Sequence, residues 1–584
     1  MTDNHQYNHF VIFALILIVG LGLALALPWL ANAQSLAADE TPNEPPDYAE
    51  VVHSAELAYV LAAEGNGNLP IPPGPCFATH KDVNDEKSSL DASAVQQAVD
   101  AASSGDTVKV AGTCIGIVTR AGLTQTVYIS KSLTLEGGHT PNDWTLEPDP
   151  DSNPTILHAF RLGRVIVISG TEGVTLDSLY LTGGVAEDFT LYNDGGGIWS
   201  NSEITLKNSI IYSNTAGWGG GMYNMGVSPV LSNVTFSNNS VWGRGGAMYN
   251  NGESGTSSPI LTDVTFSGNK AQIGGAMYND GEDYGTSSPT LTNVTFSDNK
   301  AITGGAMCNS GFEFGDSSPK LNNVAFYGNS AESAGGGMYN SAMFGNTSPE
   351  LTNVTFSGNS ADNGGAIYNA GTDSTNIPNL INVIFSGNSA KRNGGAIFNS
   401  AGISGISSPI LTNVTFSGNK AMHGGAMYCE ASDHGGICNP DVRNSILWNN
   451  QDSSGTGTIT ATIFLTNNAT ITLMHSLAQG TGDSNNWTLD SSFVNGGDNI
   501  DTDPLFILDI NPSTAPTTAG NLRLQTGSPA IDVGDNTFMV GVLTDLDGEP
   551  RITDGDGDFV EIVDMGAYET PSYYKYVYLP LINR

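Results

Sequence analysis

Positive charge is what this chain lacks most. Only 20 of its 584 residues are Lys or Arg, against 58 Asp or Glu, for a net charge of −38. Phosphate backbones are gripped by clustered Lys and Arg, so this composition excludes a nucleic-acid binder. Anionic membrane surfaces are disfavoured for the same reason. Cysteine is also scarce: five residues are too few for a disulfide scaffold of this length. Disorder throughout is excluded in turn, because 39% of residues are hydrophobic and 8% aromatic. Length alone would allow about three or four ordinary domains. What the chain has in excess is glycine, 71 residues, with plentiful Asn, Ser and Thr. That is the composition of tight turns repeated many times.

An uncharged apolar run fills residues 10–30, followed by Ala31-Asn32-Ala33. This reads as a signal peptide over 1–33, cleaved before Gln34, or as a retained N-terminal anchor, since the run is long enough to span a bilayer. Its leading segment has no Lys or Arg; the first Lys is Lys81. Both readings send the rest of the chain across a membrane. Residues 34–75, rich in Pro, Asp and Glu, read as a linker.

From Gly195 the sequence repeats itself. Strings of the GGAMYN type begin at Gly195, Gly219, Gly245, Gly274, Gly304, Gly335, Gly364, Gly394 and Gly424, spaced by 24 to 31 residues. Between them runs SP-x-L-T-N-V-T-F-S-G-N. The pieces are short, β-branched and aromatic, with no 3.6-residue period, which is strand chemistry. Three strands per repeat, GGAMYN, PILTN and VTFSGN, give one coil of a parallel β-helix, each strand pairing with its copies about 4.8 Å away.

Stacking turns each repeat position into a column. The Phe column, from Phe236 to Phe416, and the Ile/Met column, from Ile198 to Met427, are expected inside. By strand alternation, the next column is expected outside: Trp199, Tyr223, Tyr249, Tyr278, Tyr339, Tyr368, Phe398 and Tyr428, with Cys308 interrupting it. Exposed, these rings form a strip suited to sugars or protein partners; stacked on each other, they only shield the Gly-rich strands. A further column of Asn208, Asn233, Asp263, Asn293, Asn323, Asn353, Asn382, Asn413 and Asn444 marks a one-residue left-handed bend, with amides able to bond up the stack. Its N-V-T sequons read as turn geometry repeated by symmetry. Longer insertions such as 251–259 and 279–289 should project from one side. Residues 91–102 show helical spacing, with Ser93 and Gln96 as a capping box, and cover the first coil.

The helix, the following GDTVKV and SLTLEGG strings and the repeats together resemble right-handed parallel β-helix proteins of the pectin-lyase-like superfamily. The GGA[IM] and F-x-x-N strings resemble the repeats of chlamydial polymorphic membrane proteins. LRLQTGSPAIDVGD (522–535), DLDGEPRI (545–552) and VDMGAYE (563–569) resemble a terminal module of secreted bacterial proteins of the choice-of-anchor type. The resemblance spans roughly residues 85–584. It implies an all-β right-handed parallel β-helix over 76–480 with an N-terminal helical cap, a small β-rich C-terminal module over 481–571 and a tail over 572–584.

Sites for chemistry are sparse. The resemblance implies either a lyase with acidic Ca²⁺ ligands and an Arg or Lys base, or a hydrolase with clustered Asp. Within 195–450 the arginines Arg244, Arg392 and Arg443 stand beside no such string. Glu253, Glu282, Asp283 and Glu313 lie in the projecting insertions. Asp554, Asp556 and Asp558 alternate with Gly as in Ca²⁺ loops, although no Glu closes the pattern; the alternative is an acidic turn between strands. Cys76 and Cys114 flank the cap helix, and Cys429 and Cys438 enclose a short loop. Two disulfides and a free Cys308 suit an exported protein.

Three functions fit: an exported, non-catalytic surface or secreted protein binding cell-surface glycans or proteins; a pectin-lyase-like polysaccharide lyase or glycoside hydrolase; or a structural stalk. In each the location is extracellular, at the cell surface or at the outer membrane, and membrane contact runs through the N-terminal anchor or envelope attachment.

Overall fold

The computed structural model describes residues 75–81, 86–186, 193–539 and 541–572. The segment 1–33 expected as a signal peptide or anchor, nearly all of the expected linker and residues 573–584 of the tail lie outside these. Within Gly74–Arg584 the chain winds into a β-solenoid of about 12 turns.

Two long sheets run along it. One has 13 strands and collects the GGAMYN strings, such as Met248–Asn251, Met277–Asp280 and Met307–Ser310. The other has 21 strands and includes Ile260–Ser267 and Thr290–Ser297. Pairing is parallel and in register, Met248 with Met277 and Phe266 with Phe296, so every residue lies on its own copy one coil along. PILTN and VTFSGN, expected as two strands, join into one eight-residue strand with a bend. At that bend the Asn/Asp column has φ between 46° and 56°, the left-handed region that Asn and Asp tolerate best. The third side of the coil is a short ladder the strings do not announce: Lys300–Thr303, Ser330–Ala334, Ser360–Asn363 and Ser389–Asn393.

The interior is a set of identical columns. Phe236 to Phe416 are fully buried, with ring centroids 4.5–5.1 Å apart and planes within 10° of parallel. Each such ring removes apolar area worth about 1.5–3 kcal/mol, and each stacked pair adds about 0.5–1.5 kcal/mol. The Ile/Met column is equally buried. The paired glycines have separate reasons. The first, as at Gly274 (φ +64°), turns the chain through the left-handed region. The second lies against the next coil: a Cβ on Gly275 would sit 2.1 Å from the carbonyl oxygen of Gly305.

Asparagine satisfies the buried corners. In the column Asn214, Asn239, Asn269, Asn299, Asn329, Asn359, Asn388, Asn419 and Asn450, all fully buried, each amide from Asn214 to Asn419 donates to the next Asn Oδ1 at 2.9–3.1 Å. A second buried ladder climbs from Asn224 to Asn399 at 2.7–2.8 Å. It stops where Cys429 takes the next position, leaving Asn399 Nδ2 without a hydrogen-bond partner. Buried amides are tolerable only when bonded in this way.

Strand β1 (Cys76–Thr79) pairs antiparallel with β2 (Lys87–Ser89) and with β3 (Thr107–Ile115). Helix α1 (Ser93–Ala101) lays Ala94, Val95, Ala98 and Val99 over the open end of the core. The capping box is absent. Asp91 Oδ1 accepts the Ser93 amide at 2.9 Å instead, and Gln96 turns inward. Its amide bonds both the N–H and the C=O of Tyr128 at 2.8 and 3.1 Å, which closes that sheet edge.

Stacking continues past residue 480, to Phe493–Asn495 and the Leu477–Ile500 bridge. The chain then turns back along the flank of the large sheet. Phe506, Ile510, Leu522, Ala530, Met565 and Ala567 pack on Ile384, Ile446 and Leu477. This segment holds one antiparallel pair, Phe506–Leu508 with Asn521–Leu524.

Candidate functional site

The aromatic column leaves the core side of its strand, as alternation requires, but it is not an exposed strip. Tyr223, Tyr249, Tyr278 and Phe398 are buried; Trp199, Tyr339, Tyr368 and Tyr428 are half-buried. The rings stack on one another at 4.7–5.2 Å. Residues just before the paired glycines lean over them: Trp218 stacks on Tyr249 at 5.6 Å, Arg244 lies 4.9 Å from the Tyr278 ring centre, and Ile273 joins the same cluster. Period-2 alternation fixes the side of the sheet and says nothing about what covers it.

One polar cluster breaks the repeat here. Arg244 Nη1 lies 3.6 Å from Glu282 Oε1 and 3.9 Å from Asp280 Oδ2. The Tyr249 hydroxyl donates to Asp280, the Tyr278 hydroxyl donates to Glu282 at 3.1 Å, and Ser310 Oγ donates to Glu282 at 2.8 Å. Burial, then the Glu282 charge, pushes the Asp280 carboxyl up to about 6. Burial also raises the Tyr249 and Tyr278 hydroxyls well above the usual range. Glu282, from the start of a projecting insertion, thus brackets the ring stack. Cys308 fills the next place in the column as a free, buried thiol, raised by its burial.

The insertions do lie on one edge of the solenoid and form their own column. Tyr284 (74% exposed), Phe314 (63%) and Phe344 (43%) project from successive coils. Their centroids are 5.2 and 6.4 Å apart, and consecutive backbones are bonded from Tyr284 to Glu313 and from Phe314 to Phe344. Asp283 and Glu313 flank the rings in sequence. The signal for this ladder was an aromatic directly before a glycine, Tyr284-Gly285, Phe314-Gly315 and Phe344-Gly345, in three consecutive insertions.

The Gly-spaced acidic run is only partly one site. Asp554 and Asp556 come together with Asp532 from a distant loop; Asp558 is not in that group. Its Oδ1 accepts the Val560 amide at 2.8 Å, closing a local turn. A second group joins Asp532 to Asp564 and Glu569. Burial, reinforced by Asp564, pushes Asp532 up to about 7 and Glu569 up to about 9. The structure also joins Cys76 to Cys114 and Cys429 to Cys438.

Among the described residues no helix is long and apolar enough to cross a membrane. No curated protein matches the chain. The Chlamydia polymorphic membrane protein repeat matches residues 353–370 and 382–400. Those stretches carry the solenoid's repeated positions, though not the Tyr284–Phe344 edge column: the bend at Asn353 and Asn382, the core Phe356 and Phe385, the buried Asn359 and Asn388, the glycine turns at Gly364 and Gly394, and the amide ladder at Asn369 and Asn399. The chain is a parallel β-helix with repeats of this type, and the similarity points to a surface-exposed or outer-membrane protein.

Proposed function

We propose that this is an exported bacterial surface protein that acts by binding and not by catalysis. Its solenoid holds the edge column of Tyr284, Phe314 and Phe344 toward glycans on a cell surface. The observation behind this reading is three large rings kept in water, on a rigid ladder, where apolar area gains nothing from exposure. Flat apolar faces, with a phenol tip at Tyr284, suit the C–H faces of sugars. The neighbouring acids repel uronic or sulfated chains, so neutral or amino-bearing glycans are the fitting class. A glycan array probed with wild type and with Tyr284→Ser/Phe314→Ser/Phe344→Ser tests it. The variant should lose binding at unchanged melting temperature; equal binding by both proteins overturns the reading.

A second reading, polysaccharide cleavage, is favoured by Arg244 beside Asp280 and Glu282, an arginine–carboxylate cluster on one sheet face. If it holds, Arg244→Gln abolishes cleavage that the wild type performs.

A further inference from the structure

We propose that Asp532, Asp554 and Asp556 form a Ca²⁺ site that pins the C-terminal segment. One carboxylate oxygen from each lies within 4.8 Å of the other two. Ca²⁺ binds oxygens at about 2.3–2.6 Å, so ligands on opposite sides of one ion are about 4.6–5.2 Å apart. The three carboxylates therefore fit around a single ion, with waters and carbonyls completing its shell.

The independent observation is Asp532. It is 9% exposed, and its Oδ1 has no hydrogen-bond partner. A buried carboxylate oxygen is normally bonded, because leaving it bare forfeits its hydration with nothing in exchange. The other oxygen, Oδ2, accepts the Asp556 amide at 2.7 Å. That bond holds the side chain against the DGDGD turn, and Oδ1 stays without a hydrogen bond. Asp554 is held just as firmly: Oδ1 accepts the Gly557 amide at 2.7 Å and Oδ2 the Phe559 amide at 3.0 Å.

The cation already present cannot fill this role. Arg551 is fully buried, but its guanidinium faces Glu569 at 3.4 Å and the carbonyl oxygens of Asp564 and Gly566. Asp564 and Glu569 sit behind Asp532. Five carboxylates thus share one arginine that faces the rear pair. An all-oxygen, carboxylate-rich set on a Gly-bearing turn suits Ca²⁺ better than Mg²⁺, which demands short octahedral bonds and keeps its waters. The ligands come from SPAIDVGD and DGDGD, with DGEPRI and VDMGAYE supplying Arg551, Asp564 and Glu569 behind them. One ion would tie Asp532 to a turn 22 to 24 residues further along the chain.

The test is calorimetric titration of the EDTA-stripped full chain with CaCl₂. One site is expected, with at least about tenfold weaker binding in Asp532→Asn and Asp556→Asn and unchanged binding in Asp558→Asn. Asp556 is exposed, so its variant keeps the test valid if Asp532→Asn fails to fold. Ca²⁺ should also slow proteolysis within residues 501–572. No saturable binding up to about 10 mM, above the roughly millimolar range of weak extracellular sites, overturns the proposal. So does equal affinity for MgCl₂, or a loss in Asp558→Asn as large as that in Asp556→Asn.

Discussion

Replacing Asn299 by Ala tests whether the amide ladder holds the coils together. Asn299 Oδ1 accepts the Asn269 amide N–H at 2.9 Å and Asn269 Nδ2 at 3.0 Å; its own Nδ2 donates to Asn329 Oδ1 at 2.9 Å and to the Phe266 carbonyl at 3.0 Å. Alanine removes four bonds, each worth about 1 kcal/mol net, and leaves the buried Asn269 N–H unsatisfied at about 1–3 kcal/mol more. The expected loss is about 5–7 kcal/mol. Asn299→Asp should cost more, because an acceptor oxygen then faces two acceptors and a charge is buried. The control is Asn293→Ala at the bend. There the side chain is exposed; it donates to Asp263 at 2.9 Å and accepts from Asn323 at 2.7 Å, bonds that water replaces, so the main cost is the left-handed conformation, about 1–2 kcal/mol. The occurrence of Asp263 in that column, and of no Asp in the buried one, reflects the same difference. A solenoid couples mainly nearest neighbours, so native-state hydrogen exchange is the suitable assay. Amides from Asn269 to Asn329 should lose several kcal/mol of protection while distant coils keep theirs. A loss below about 1 kcal/mol, or one equal to that of Asn293→Ala, would refute the reasoning.

Three further outcomes follow. Phe296→Ala should cost about 3–5 kcal/mol by the same measurement, because its neighbours Phe266 and Phe326 are fixed by their own stacks and cannot close the cavity. Asp280 has a folded value near 6 against about 3.8 unfolded, so the wild type loses stability as pH rises from about 4 through 6. Relative to it, Asp280→Asn should gain about 3 kcal/mol in denaturant titrations between pH 4 and 7.5, about two units at 1.36 kcal/mol each; a constant difference across that range would show that the carboxyl titrates normally. Cys308, buried and with a raised thiol, should resist iodoacetamide in the native chain and react on denaturation; rapid native labelling would place it at the surface.

Much of the fold was legible because stacking copies each residue onto itself. A Phe or Met every 30 residues reads directly as a buried column, and an Asn or Asp at the same place in each repeat reads as a bend, which the φ angles bear out. The third ladder was not legible, since Lys300–Thr303 and its copies share only an alanine and polar neighbours. The aromatic column was legible as to its side of the sheet, while exposure and mutual stacking were both left open. Its cover comes from Trp218, Arg244 and Ile273, each next to a glycine turn and silent in a two-residue alternation. The Arg244–Asp280–Glu282 bracket joins residues 36 and 38 positions apart, and Asp532 lies 22 residues before Asp554. Such pairs arise only once the coils are stacked or the C-terminal segment has folded back.

Binding without cleavage is the central claim, and one sample can test both halves. Purified full-length protein is incubated with the glycans it retains on the array, with and without Ca²⁺, and the glycans are then sized by mass spectrometry. The account predicts retention with every chain at its original length. Shortened chains that are absent with Arg244→Gln would contradict it and assign the Arg244 cluster a catalytic role.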